Sequence, residues 1–336
     1  MKKIKVGILG LGRIGKIHFE NIKLNIPEAE IIAVADPYNP YNQNGITACG
    51  ADELLAMSSI EAVIICTPTD THAEYIEKAA KAGKNIFCEK PHDLSLSTVV
   101  ESLAIVEKNK VKLMLGFNRR FDPNFLKVKS LVQAGKVGDP HILKITSRDP
   151  APPPLSYIKS SGGMFLDMAI HDFDMARYIM NKDVAEVYSS ASVLTDPMIR
   201  EAGDIDTAIT TLRFKDGSLA VIDNSRKAVY GYDQRLEVFG SKGMAKVDNN
   251  HPDNHQLYDA EGTHASLPLN FFMERYTASY LYEMRMFFKA ITENTEMPVT
   301  GRDGLQAMAI ALAASLSVKE GRPVQINEIL SKQSVK

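Results

Sequence analysis

Asp167, His171 and Asp174 stand four and three positions apart, directly after Gly162-Gly163, in a stretch whose apolar residues recur at helical spacing. On a helix the three side chains project from one face, so a carboxylate can orient the imidazole. Histidine titrates near neutral pH, which suits a base that removes the proton of a hydroxyl group. A solvated polar face with a local ion pair gives the same spacing. Lys90 offers a second proton-handling group. It closes an apolar run in Glu89-Lys90-Pro91, and a lysine at the C-terminal end of a parallel strand can hold a reacting oxygen, although an ordinary loop lysine also fits. No His and Cys set has the spacing of a catalytic zinc site, and Asp167 with His171 supplies too few ligands, so no metal is expected.

A base that works on a hydroxyl needs a hydride acceptor beside it, and the N-terminal segment carries the pattern of one. Gly10-Leu11-Gly12-Arg13-Ile14-Gly15 follows a strand pattern and opens a helical one. Glycines there permit a tight turn and a close backbone approach to a pyrophosphate at the helix N-terminus. Asp36 ends the second strand pattern, where a carboxylate accepts hydrogen bonds from the adenosine ribose. The plainer alternative is a glycine-rich turn with a capping aspartate. Charge at Asp36 repels a ribose phosphate and Pro37-Tyr38-Asn39 brings no cation, so NAD is expected rather than NADP. Arg13 is compatible with a phosphate, a pyrophosphate or a solvated role.

These residues need elements to hold them. Strand patterns at Ile4–Gly10, Glu30–Asp36, Ala62–Thr67, Asn85–Glu89 and Lys112–Asn118 alternate with helical patterns near Ile14–Leu24, Thr71–Ala82 and Ser95–Lys108. Such alternation predicts a doubly wound parallel sheet. Beyond Pro123 the pattern changes to successive strands, Ile142–Ser147, Glu186–Val193, Thr207–Phe214, Ser218–Asn224, Arg235–Phe239 and Met244–Val247, interrupted by one helix over Met164–Met180. Two helical patterns, Phe272–Ile291 and Asp303–Lys319, follow. A dinucleotide-binding domain over residues 1–122 and an α+β domain with a largely antiparallel sheet over 123–336 are expected. Asp149–Pro154 reads as a stiff connector.

Composition limits the partners. The 336 residues carry 39 Lys+Arg and 41 Asp+Glu, 45% hydrophobic and 24% charged. That balance is globular and lacks the basic footprint of a nucleic-acid or membrane-surface binder, so the partner is expected to be a small molecule. Cys49, Cys66 and Cys88 have no metal spacing, and the latter two lie in apolar runs, so free thiols in a reducing compartment are expected. Lys2 and Lys3 precede an apolar stretch broken too early by glycines for a signal peptide, and no run is long enough to span a membrane. A cytoplasmic location is the expectation.

Taken together, Gly10–Gly15, Thr67–His72, Glu89-Lys90-Pro91, Gly116–Asp122, Ser147–Tyr157, Gly162–Tyr178 and Tyr230–Gln234 resemble the glucose-fructose oxidoreductase, inositol dehydrogenase and rhizopine catabolism family. The segments lie in order along most of the chain, and Glu-Lys-Pro followed by Gly-Gly-x-x-x-Asp-x-x-x-His is the specific part. The resemblance implies a Rossmann domain, an open-faced second sheet, and oxidation of a secondary hydroxyl of a cyclic polyol such as inositol to a ketone. It implies that His171 accepts the proton, Asp167 supports it and Lys90 holds the oxygen. It places Gly10, Gly12, Arg13, Ile14, Gly15, Asp36, Thr67, Pro68, His72, Glu89, Lys90 and Asn118 against NAD. Arg119, Asp149, Asp174 and Tyr232 fall near the polyol with Lys90, Asp167 and His171. A homotetramer joined through the open sheet face is also implied. Two departures stand out: the chain between Asp36 and Ala62 is short, with residues 37–45 replacing most of a helix, and His92 takes a place that is usually apolar. Another inositol isomer, sugar or sugar acid as substrate remains open, as does a non-catalytic NAD-sensing or scaffold role.

Overall fold

The computed structural model describes residues 3–41, 43 and 45–331, and the chain divides into two units. The first begins with β1 (Ile4–Leu9), α1 (Arg13–Asn25), β2 (Ala29–Ala35), β3 (Thr47–Ala48), α2 (Ala51–Ala56), β4 (Ala62–Ile65), α3 (His72–Lys81), β5 (Asn85–Glu89), α4 (Leu96–Asn109) and β6 (Leu113–Gly116). All strand pairs in it are parallel, in the order β3-β2-β1-β4-β5-β6. β4 and the Val6–Leu9 part of β1 are short continuous apolar runs, as strands buried on both faces require. The order reverses at β1, whose neighbours are β2 and β4, and a doubly wound sheet binds ligands at that reversal. In the short region after Asp36 stand the two-residue β3 and the six-residue α2, while Asn42 and Asn44 lie outside the described residues.

The second unit starts at Asp122. It holds α5 (Pro123–Gln133), β7 (Pro140–Arg148), α6 (Leu155–Ser160), a π-helical turn (Phe165–Ala169), α7 (Ile170–Met180), β8 (Val184–Ser192), α8 (Pro197–Glu201), β9 (Thr207–Phe214), β10 (Leu219–Ser225), β11 (Asp233–Gly240), β12 (Gly243–Val247), the hairpin β13 (Gln256–Asp259) and β14 (Gly262–Ala265), and α9 (Phe272–Arg275). Its main sheet runs β12-β11-β7-β10-β9-β8-β15. The sheet is largely antiparallel, with β7 and β10 parallel. Helix α5 was not visible as a periodic pattern. Its N-cap marks it instead, since Asp122 accepts from the backbone of Asn124 and Phe125 at 3.0 and 3.1 Å, with Pro123 at the first helical position.

The chain then returns. α10 (Thr277–Thr292) and the start of α11 (Gly301–Glu320) belong to the first unit, whereas the rest of α11, β15 (Val324–Gln325) and α12 (Ile326–Ser331) belong to the second. A division of the chain at residue 122 alone therefore omits the segment Ala278–Gln306, which joins the first unit's core. Gly301 and Gly304 explain the fit, since a Cβ there would meet Leu103 Cδ2 at 2.2 Å and Leu115 Cδ1 at 2.1 Å. No described helix is long and apolar enough to cross a membrane.

Helix α11 begins with a capping box. Asp303 Oδ2 accepts from Thr300 N at 2.9 Å and Thr300 Oγ1 at 2.8 Å, and Arg120 pairs with Oδ1 at 3.0 Å. Burial disfavours the Asp303 carboxylate, but the Arg120 guanidinium and the Thr300 donors outweigh it and hold its pKa down at about 2. A depressed carboxylate adds stability above its unfolded pKa that is lost as pH falls through the folded value. Asp303→Asn is therefore expected to cost about 2 kcal/mol at neutral pH and to reduce the loss of stability between about pH 4 and pH 2, as read by denaturant titration across that range.

Candidate active site

In the first unit the glycine loop occupies the β1–α1 turn. Gly10 has φ +90°, and a Cβ on it would meet Cys66 O at 2.7 Å, so the loop backbone lies against the end of β4. A Cβ on Gly15 would meet Gly10 O at 2.1 Å. Only glycine lets the helix start this close to the strand. Gly12, the N-cap of α1, has open space where a Cβ would stand, makes no side-chain cap bond, and is followed by no acidic residue in the first turn. The N–H groups of that turn are thus open to an anionic group. Arg13 is exposed and Ile14 half-buried.

Asp36 ties the end of β2 to this loop. Its Oδ2 accepts from Leu11 N at 2.6 Å, and its Oδ1 accepts from Tyr38 N and Asn39 N, both at 2.8 Å. Partial burial pushes the carboxyl up, but these donors and the Asn39 amide more than compensate, so Asp36 sits below the usual carboxylate range. It is a charged acceptor directly after β2.

The ends of β4 and β5 are clamped together by His72, which is buried. Its Nδ1 contacts Pro91 O at 2.7 Å and its Nε2 contacts Thr67 O at 2.8 Å. Burial lowers its pKa although both carbonyls favour the proton. His72 therefore acts through the loops of Thr67 and Lys90, with its ring inside the protein. Thr67 is further fixed by Thr71 Oγ1 at 2.7 Å. Lys90 is half-buried at the end of β5, and the Lys90-Pro91 peptide is cis. His92 is buried rather than a surface loop residue. Its Nε2 lies 3.0 Å from Ser102 Oγ, and burial with the nearby His72 pulls its pKa down to about 3. Asn118 and Arg119 are buried in a 3-10 turn after β6, where Asn118 O accepts from Ser279 Oγ.

In the second unit Asp167 and His171 come from different helical forms. The stretch is a π-helical turn over Phe165–Ala169 running into α7, not one regular helix. Such turns recur at functional sites. From Met164 to Ala176 every residue is buried except Asp167 and His171, which are half-buried. These two alone open toward space on that wall. Asp174, expected on the same face, is buried with Asp172, whose Oδ2 accepts from Asn224 Nδ2 at 2.9 Å.

A cation that the sequence did not single out organises the carboxylates. Arg226 follows β10 and is 1% exposed; its NH1 lies 3.3 Å from Asp167 Oδ2 and 3.9 Å from Asp149 Oδ2, and its NH2 lies 3.8 Å from Asp204 Oδ2. Tyr157 OH donates to Asp167 Oδ1 at 2.9 Å. Asp204 in turn accepts from Met164 N at 3.0 Å and starts the π turn, and a Cβ on Gly163 would meet Asp204 Oδ1 at 2.7 Å. The Gly162-Gly163 pair is thus the visible trace of a carboxylate far along the chain, Asp204. Tyr232 is buried, with its ring edge-on to Tyr276 at 5.9 Å.

The chain is similar to known proteins along most of its length. Residues 4–117 match the NAD-binding Rossmann-fold model of an oxidoreductase family, and residues 125–246 match the GFO/IDH/MocA C-terminal domain. An uncharacterized oxidoreductase of Bacillus subtilis is 50% identical, covering 97% of each chain. A myo-inositol 2-dehydrogenase of Thermotoga maritima is 48% identical over 97% of this chain and 100% of its own. Among solved structures, a probable dehydrogenase from T. maritima has 48% identity and a TM-score of 0.94, covering 97% of this chain and 99% of its own. A scyllo-inositol dehydrogenase from Lactobacillus casei, solved with NAD(H) and scyllo-inositol, has 32% identity and a TM-score of 0.89 with the same coverage.

Removing Arg226 leaves three carboxylates around an empty place, so Arg226→Met is expected to cost about 3–5 kcal/mol of stability. Tyr157→Phe removes one hydrogen bond to Asp167 and is expected to cut turnover about tenfold with a stability loss near 1 kcal/mol. Thermal unfolding and steady-state kinetics of the two variants separate these effects.

Proposed function

The chain belongs to the GFO/IDH/MocA oxidoreductase family, and from that premise we propose that it is an NAD-dependent inositol 2-dehydrogenase that oxidises myo-inositol to the 2-ketone, scyllo-inosose. The observation that carries this reading is the half-buried Asp167 and His171 pair in an otherwise buried wall, with Asp167 gripped by Tyr157 and Arg226. An imidazole on such a support suits proton removal from a hydroxyl.

The residues at the β1–α1 turn fit a dinucleotide. Gly10, Gly12, Arg13, Ile14 and Gly15 would hold the pyrophosphate at the open helix N-terminus, and Asp36 the adenosine ribose. Thr67, Pro68, His72, Glu89, Lys90 and Asn118 would complete the nicotinamide end. Bound NAD supplies the hydride acceptor. The chain's own residues do the rest: Lys90 holds the reacting oxygen, His171 takes its proton, and Asp167 keeps the imidazole oriented. Arg119, Asp149, Asp174 and Tyr232 would contribute to polyol binding, Arg119, Asp174 and Tyr232 from buried positions.

The second-unit sheet supports assembly into a homotetramer. Met244, Phe239, Ile142 and Leu219 are cross-strand partners in a row over β12, β11, β7 and β10, and all four are exposed. An apolar row of this kind on an uncovered sheet face fits an interface with another copy. The free thiols suit the reducing cytoplasm.

A polyol panel followed by NADH absorbance tests the activity: NADH formed with myo-inositol is expected, and NADH with another sugar only, or none, overturns the reading. His171→Ala is expected to lower turnover by roughly 10²–10⁴-fold while NAD affinity stays nearly unchanged. If Lys90→Ala instead abolishes the pH dependence while His171→Ala retains it, the proton acceptor is Lys90. Asp36→Ser with Pro37→Arg is expected to shift preference toward NADP, and comparable wild-type efficiency with NADP would contradict the role of Asp36. Phe239→Glu is expected to dissociate the assembly, read by light scattering.

A further inference from the structure

Inside the first unit, three ionisable groups meet that the proposed reaction does not use together. His18 on α1, Glu89 at the end of β5 and Glu283 on α10 bring ligand-capable atoms within 4.8 Å of one another. His18 and Glu283 are each 0% exposed, and both occupy the apolar stripe of their helices. His18 Nε2 lies 2.7 Å from Glu89 Oε1, within hydrogen-bond reach. The other ring nitrogen, Nδ1, is buried without a hydrogen-bond partner, and so are both oxygens of Glu283. Gly116 makes room for the cluster, since a Cβ there would meet Glu89 Oε2 at 2.9 Å.

Charge fixes the protonation of such a set. An ionised carboxylate with no donor in a dry interior is so unfavourable that the group takes up a proton. Two carboxyl groups this close also cannot both ionise freely. Among the described residues, the titratable groups that act on the cluster are Cys66 at the end of β4 and Cys88 on β5, acids whose thiols burial pushes up, and His72, whose pKa burial lowers although Glu89 favours its proton; Tyr280 packs its ring against His18 at 5.8 Å, and Lys90 follows Glu89 in the chain. Burial first, and then Glu89, raise Glu283 well above the carboxylate range. A neutral imidazole with its proton on Nε2 leaves only a lone pair at the buried Nδ1.

We infer that His18, Glu89 and Glu283 form a closed set carrying one negative charge, lodged on Glu89 with Glu283 a neutral acid, and that this charge favours NAD+ over NADH. The cationic nicotinamide ring of NAD+ is attracted to it and the neutral ring of NADH is not. The inference rests on the reading above that Glu89 lies at the nicotinamide end. Glu283 is a positioning residue here and touches neither cofactor nor substrate.

Infrared difference spectra of wild type against Glu283→Gln, at neutral pH in heavy water, read the acid directly. A carboxylic-acid carbonyl band present in wild type and missing in the variant is expected. Glutamine keeps a neutral polar group, so the ratio of NAD+ to NADH dissociation constants should stay within about twofold in Glu283→Gln, while Glu89→Gln should move it about tenfold toward NADH. No such band, or a stoichiometric divalent metal found in the purified protein by mass spectrometry, overturns the charge state. The band present with an unchanged ratio in folded Glu89→Gln overturns the cofactor bias and shows that the placement of Glu89 at the nicotinamide has failed. If Glu89→Gln does not fold, a tenfold ratio change in Glu283→Gln still refutes a neutral Glu283.

Discussion

The close approach of the β1–α1 loop to the end of β4 is the constraint from which the first unit follows. With Gly10 against the Cys66 carbonyl and Gly15 against the Gly10 carbonyl, helix α1 starts directly at the point where the strand order reverses. A side chain at either position would push the helix away from the sheet and remove the open N–H groups from the crevice. Asp36 depends on the same geometry, because its bond from Leu11 N exists only when the loop turns this tightly. The same helix carries His18 inward to Glu89, so the position of α1 also ties it to the end of β5.

The second unit solves a different problem, namely how to gather carboxylates without leaving buried charge uncompensated. Arg226 does this from the end of β10, with Asp149, Asp167 and Asp204 arranged about one guanidinium. Asp204 also caps the π turn that carries Asp167, so helix geometry and electrostatics are fixed by the same group. Breaking such a network is costly because the remaining charges stay buried. The two half-buried residues on this wall therefore present defined orientations while the wall itself stays packed.

Local pattern determined much of this protein. Glycine spacing, the aspartate at the end of β2, the alternation of apolar strands with helices and the strand runs after Pro123 are all short-range signals, and each corresponds to an element or a turn in the structure. The Asp167 and His171 spacing was legible for the same reason, since both lie within one helical stretch. Tertiary packing decided the rest. That α10 joins the first unit depends on contacts of Gly301 and Gly304 with residues far back in the chain. Arg226 is one arginine among many in the sequence, and only folding brings it to three aspartates. His92 looks like a loop residue until burial withdraws it from water, and Glu283 looks like an ordinary helix-surface glutamate until α10 turns it inward. Sequence periodicity records which face of an element is apolar, but burial of a polar group depends on partners that arrive from elsewhere in the chain.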